Sequence, residues 1–170
     1  MDSFSFFVPG EPVTEGSTRA FTSGQRVVVT HDRGRELDAW RLKVAHAAED
    51  AARKAGWEPR HDGPVAVTVT FLLPRPKSVP KSRKWPHTKP DLDKLQRAVG
   101  DALAPYKRPG VLRDDSRIVE WRASKCYAGG PRMVGAVITV STVDLAGLSV
   151  IYACAEWVEA EELAIQEAAS

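Results

Sequence analysis

Apolar residues recur along this chain at two distinct spacings. From Arg35 onward, Leu37, Trp40, Val44, Ala47, Ala48, Ala51 and Ala55 fall three and four residues apart, which predicts an amphipathic helix ended by Gly56. A second series, Leu95, Val99, Ala102 and Leu103, predicts a helix from about Leu92 to Ala104. Other stretches have the character of strands. Val65 to Leu73 (VAVTVTFLL) alternates Val with Thr and then becomes continuously apolar, as a buried strand does. Ser3 to Val8 is rich in aromatic residues and stops at Pro9-Gly10. Arg26 to Thr30 (RVVVT) is a short β-branched strand expected to pair back on the first, with Glu11 to Gln25 as a loop between them. Arg117 to Tyr127 and Met133 to Thr142 flank Gly129-Gly130-Pro131, and their simplest arrangement is a hairpin. Leu145 to Cys154 reads as a further strand or packed loop. Ala155 to Ala168 has helical spacing at Trp157, Leu163 and Ile165 but is strongly acidic.

The pattern breaks after Leu73. PRPKSVPKSRKWPHTKP sets Arg75, Lys77, Lys81, Arg83, Lys84 and Lys89 among five prolines, with Trp85 and His87 in the middle. Each proline removes a backbone donor, so an exposed loop is expected rather than a central strand or helix. Charge sharpens this picture. Residues 151–170 hold five Glu and no Lys or Arg, which leaves 24 basic and 17 acidic residues in the first 150, a net charge of +7. A basic body with an acidic tail points to an anionic partner such as nucleic acid. A Trp in the basic loop is costly to expose unless it stacks on something such as a base.

Composition narrows the class. With 170 residues, 43% of them hydrophobic, the chain has the material for one domain with its own core. Cys126 and Cys154 are far apart and form no C-x-x-C, against a zinc site or a disulfide framework, and a reducing, cytoplasmic location is expected. The early apolar run Phe4 to Val8 is too short for a signal peptide, and no tract is long enough to span a membrane.

Candidate chemistry gathers at KPDLDKLQRAVGD, Lys89 to Asp101. Residues two apart on a helix point about 200° apart, so Asp91 and Asp93 share a site only if one lies outside the helix. Asp93 followed by Gln96 has the form of a capping box, which puts Asp93 at the N-cap and Asp91 on an extended entry segment. Two adjacent carboxylates repel, and a divalent cation relieves that repulsion. Asp114-Asp115 precedes the strand RIVEW. If that strand lies beside the one ending near Leu73, Asp115 approaches the helix mouth and completes a site with Asp91 and Asp93. Hard oxygen ligands without His or Cys select Mg²⁺ or Mn²⁺, and such a site suits phosphodiester hydrolysis. At helical spacing, Asp93, Arg97 and Asp101 share a face opposite Leu95, Val99 and Leu103. Arg97 either stabilises charge on phosphorus or belongs to an ion-pair ladder; Lys125 is a second candidate of the same type, on the strand after Asp115.

KPDLDKLQRAVGDAL followed by DDSRIVEWRASK resembles the RusA family of Holliday junction resolvases, as do FFVPGEPV near the start and the Pro- and Lys-rich lead-in through His87. The likeness covers roughly residues 4–140. It implies a small α/β domain that dimerises, with three aspartates binding Mg²⁺ for paired nicks across a four-way DNA junction. By motif these are Asp91, Asp93 and Asp115, and the family's helix lysine falls on Arg97. Lys94 stands where the family commonly has Asn. Arg97 keeps the charge of the lysine but not its compact geometry or its ability to lose a proton.

With the elements above, this gives an α/β (α+β) fold, a small mixed sheet packed by two main helices, over 1–143. A C-terminal extension over 144–170 adds an acidic helix and is not an independent domain. The expected activity is Mg²⁺-dependent, structure-selective endonuclease action in DNA recombination and repair, by a homodimer on branched DNA. Lys77, Lys81, Arg83, Lys84, His87, Lys89 and Lys94 are the expected phosphate contacts, with Trp85 stacking. Two other classes stay open. A nucleotidyltransferase also uses D-x-D and a later Asp, although its usual Gly-Ser turn is replaced here by prolines and lysines. The other is a catalytically silent junction-binding protein.

Overall fold

The computed structural model describes residues 2–143 apart from 17, 24–25, 32–33 and 106–109, with backbone only over 18–31. The expected acidic helix and the rest of 144–170 lie outside the described residues. The helical spacings produce α1, Gly34–Lys54, and α2, Leu92–Leu103. α1 turns its Leu37, Trp40, Val44 and Ala48 into the core. It stops at Gly56, whose φ of 69° is left-handed, while Trp57 N donates to Ala52 O at 2.9 Å. This is a glycine-terminated helix end that an L side chain would strain.

Six strands form two sheets: β1 Ser3–Pro9, β2 Thr18–Ser23, β3 Arg26–His31, β4 Val65–Leu73, β5 Ile118–Tyr127 and β6 Gly135–Thr142. The main sheet is mixed, in the order β1-β6-β4-β5, with β4 and β5 parallel and the other pairs antiparallel. Val67, Val69, Phe71, Ile138 and Val140 are buried on one face, in one core with Leu95, Val99 and Leu103 of α2. The other face carries Ser5, Thr68, Arg122 and Val137, all exposed, with Ser5 and Thr139 hydroxyls 2.8 Å apart across β1 and β6.

Two expected pairings are corrected. β3 pairs with β2 in a separate two-stranded ribbon, not with β1. Only Gly24 and Gln25 separate the two strands, and a short connection beginning with glycine favours the local partner over a distant one. Part of the expected loop Glu11 to Gln25 is therefore strand. Likewise β5 and β6 do not form a hairpin; they flank β4 on opposite sides. β6 offers Ala136, Ile138 and Val140 to a central position, whereas β5 has no fully buried residue and takes the edge. The parallel β4–β5 pair requires a crossover, and α2 supplies it. As anticipated, this sets Asp115 beside the helix. Among the described residues, no helix is long and apolar enough to cross a membrane.

Candidate active site

Asp91 is the N-cap of α2, in extended conformation (φ −72°, ψ 137°), and Leu95 N donates to its carbonyl at 3.2 Å. Asp93 thus lies inside the first turn, not at the cap, and the expected capping box is not made: Asp91 makes no side-chain cap bond. The helix begins two residues earlier than a cap at Asp93 would have it, because Asp91, directly after Pro90, already accepts the first helical bond. The requirement that one of the two aspartates sit outside the helix is met by Asp91. Asp93 is exposed in the first turn, where the helix dipole favours a carboxylate.

Asp115 opens a single 3-10 turn, Asp115–Arg117, just before β5. Asp114 caps that turn, its Oδ1 accepting from Ser116 N at 3.0 Å; hydrogen bonding by the Ser116 side chain first, and by its backbone N–H second, holds the Asp114 carboxyl below its ordinary range. The turn is clamped from both sides. Arg117 Nε donates to Asp62 Oδ1 at 2.8 Å, and Arg113 donates to the other oxygen of the same carboxylate. The two arginines, Arg113 first, lower the Asp62 pKa.

Asp93 and Asp115 line one open cavity of about 320 Å³, together with Gln96, Arg97, Gly100 and Trp121. Asp91 is not among its lining residues; its Oδ2 is 3.4 Å from Lys94 Nζ. Among the described residues, no three of His, Cys, Asp and Glu converge closely enough to hold a metal ion unaided. Mg²⁺ needs less than that, since it binds through one or two carboxylates and keeps waters and substrate phosphate as its other ligands. Two exposed carboxylates on one cavity, without His or Cys, fit such an ion.

Arg97 lies on the cavity but pairs neither with Asp93 nor with Asp101. Its Nε is 2.8 Å from Glu15 Oε2, and its side chain is 72% exposed. Arg41 of α1 lies 3.3 Å from the same Glu15 oxygen and pairs also with Asp101. The Glu15 Oε2 atom is buried, and neither contact has hydrogen-bond direction, so the attraction is that of ion pairs. Asp101 is raised above its ordinary value, first by burial, against the pull of Arg41 and with Glu15 adding to the rise. The expected ladder along one helix is thus replaced by a network across three elements. Glu15 and Arg41 were not singled out by sequence reasoning. Glu15 sits in a loop and Arg41 on the polar side of α1, and neither position carries a local signal for its partner. Glu15 N also donates to Lys94 O at 3.1 Å, which ties its loop to the first turn of α2.

Lys125 does not face the cavity. Its Nζ donates to Thr88 O at 2.8 Å and to Pro90 O at 2.7 Å, so it anchors the segment that delivers Asp91. The basic loop before it is also fastened. It makes two turns, closed by Val79 N to Pro76 O at 3.0 Å and Arg83 N to Pro80 O at 3.1 Å. Tyr127 N donates to Lys84 O at 3.0 Å. Lys77, Lys81, Arg83, Lys84, His87 and Lys89 are all exposed, as is Trp85 at 63%; Lys94 is half-buried.

Two comparisons with known proteins bear on this chain. A curated protein of Bacillus subtilis (strain 168), described as uncharacterized protein YqaN, is 32% identical over 143 residues, covering 78% of this chain and 94% of that protein. A family model described as endodeoxyribonuclease RusA matches residues 9–139. That match takes in both helices, the basic loop and all three motif aspartates, and the chain belongs to the RusA endodeoxyribonuclease family.

Proposed function

We propose that this protein is a Mg²⁺-dependent, structure-selective endonuclease that resolves four-way DNA junctions by paired nicks, acting as a homodimer in the cytoplasm. One observation carries the reading: Asp93 and Asp115, brought from different elements, line the same cavity as Arg97. The family is one of endodeoxyribonucleases, which favours cleavage over nucleotidyl transfer or silent binding.

Asp93 and Asp115 would hold the ion, with Asp91 at the adjoining helix cap; Mn²⁺ is a chemically acceptable substitute. When bound, the ion polarises a phosphoryl oxygen and makes a coordinated water more acidic. The chain's own groups do the rest. Arg97 places a guanidinium where negative charge grows on phosphorus. Arginine suits this role, because charge stabilisation requires no proton loss. Glu15 attracts the Arg97 guanidinium and keeps it at the cavity. Trp121 and Gly100 form the apolar wall of the cavity and limit water beside the scissile bond. Lys125 keeps the carbonyls of Thr88 and Pro90 fixed, and with them the approach of Asp91. The exposed cations of the basic loop contact backbone phosphates on either side without reading sequence. A twofold dimer presents two such sites to a junction that is itself roughly twofold.

The test is cleavage in Mg²⁺ of a four-way junction, fork, flap and linear duplex by wild type, Asp93→Asn and Asp115→Asn. The junction should be nicked in two strands, linear duplex spared, and each variant should bind but not cut. Equal cutting of linear duplex contradicts the structural selectivity. A variant that nicks at the wild-type rate contradicts the site. Label transfer from a nucleotide without nicking would favour the transferase reading.

A further inference from the structure

At the carboxyl ends of β4 and β5 a second cavity opens, of about 740 Å³. It shares no lining residue with the Asp93–Asp115 cavity. One wall is the basic loop, which contributes Lys81 and Lys84; the other is Tyr127 with the Gly129-Gly130 turn. Arg75 lies at the junction of the two, its guanidinium carbon 4.5 Å from the centroid of the Tyr127 ring. The same side chain donates to Pro80 O at 2.9 Å and Arg83 O at 2.6 Å. Those carbonyls bound the turn that carries Lys81, and Tyr127 N donates to Lys84 O, so the backbone under both lysines is held on the wall before any ligand arrives. Three cations face one carboxylate, Glu11, among the lining residues. Immediately after Lys84 comes the exposed indole of Trp85.

Cations that track a backbone, interleaved with aromatic planes, are the chemistry of single-stranded nucleic acid binding. The cavity falls in the size range that encloses a small ligand of nucleotide dimensions, and it cannot enclose a duplex. The site is also connected to the chemistry. Lys125, two residues before Tyr127 on β5, holds the carbonyl of Pro90 next to Asp91. The cavity wall and the entry to α2 are thus joined through β5.

We propose that this groove binds unpaired nucleotides of a DNA strand at a branch, with Lys81 and Lys84 on phosphates and Tyr127 and Trp85 against bases. The proposal rests on the DNA-cleaving reading for its substrate but not for its test, which needs no metal and no cleavage. Fluorescence anisotropy of a labelled oligothymidylate and of a blunt duplex would be followed against salt, for wild type, Lys81→Ala/Lys84→Ala, Tyr127→Leu and Asp93→Asn. Both lysines are exposed, and thermal melting checks that each variant folds. The double lysine variant should lose about ten-fold more affinity for the oligothymidylate than for the duplex. Its salt slope on the single strand should fall by about 1 to 2. Asp93→Asn should keep the single-strand affinity. Equal losses on both DNAs, or no binding of the oligothymidylate by folded wild type, would overturn the groove. Retained single-strand binding by a protein that cuts nothing would instead leave the groove standing and remove the nuclease reading.

Discussion

The basic loop and the carboxylate cavity both depend on cations held in place, but their partners are of opposite kinds. Around the loop, Arg75 donates to the carbonyls of Pro80 and Arg83, and Lys125 to those of Thr88 and Pro90. A carbonyl fixes a cation without cancelling its charge, and residues 74–90 contain no Asp or Glu. Around the cavity, Arg97 and Arg41 face Glu15 and Asp101, and Arg113 and Arg117 face Asp62. There four guanidiniums share three carboxylates, which cancel most of their charge. The first arrangement keeps a positive field for long-range attraction of phosphate. The second gives up field strength for the position of individual groups, as transition-state stabilisation requires.

The sharpest way to break this contrast is at Lys125. Lys125→Met keeps the aliphatic stem but removes both carbonyl bonds. It should lower stability by about 2 kcal/mol and cleavage by at least about ten-fold, read by thermal melting and by junction nicking. Lys125→Arg would restore stability in part. If Lys125→Met melts and cuts like wild type, the anchoring role is wrong.

Glu15→Gln probes the other region. It leaves a near-isosteric partner beside Arg97 but removes the charge that holds it. The expected result is a fall in kcat of about ten-fold, with KM for the junction little changed, because on the proposed reading the loop would supply most of the phosphate contacts. A change confined to KM would place Glu15 and Arg97 in substrate binding instead.

Asp62→Asn should have the smallest effect and should show it in pH dependence. The Asp62 pKa is depressed in the folded protein, so its contribution is fully present above the ordinary aspartate value and is lost as pH falls through the folded one. Wild type should therefore lose more stability than Asp62→Asn on acidification below about pH 4. At neutral pH the variant should show a modest loss of cleavage as the Asp115 turn loosens. Parallel stability curves for the two proteins would remove Asp62 from the account.

The elements were legible in sequence where one periodicity ran unbroken. Both helices and β4 follow from spacing, because Leu95, Val99 and Leu103, or Val65 to Leu73, meet the same core along their whole length. Strand pairing was not legible to the same degree. The Gly129-Gly130-Pro131 turn suggested a hairpin, but the half-buried, charged β5 belongs at an edge and the apolar β6 in the middle, and that preference outweighs proximity in the chain. Within the site, Asp115 could be placed beside α2 only on the condition that β5 lies beside β4, which the structure meets. Glu15 could not, since an ion pair between a loop and a helix 82 residues later has no pattern of its own. Lys125 drew attention by charge alone, and its geometry gives it a positioning part in place of contact with phosphate.

The central claim is that Asp93 and Asp115 act as one site although separate elements carry them. A double-mutant cycle on junction cleavage tests it most directly, with Asp93→Asn, Asp115→Asn and the double variant compared at saturating Mg²⁺ and equal junction occupancy. Groups that act as a unit are strongly non-additive, so each single variant should lose nearly as much rate as the double. Losses that multiply, with the double variant slower than either single by the full factor of the other, would mean that the two carboxylates work apart.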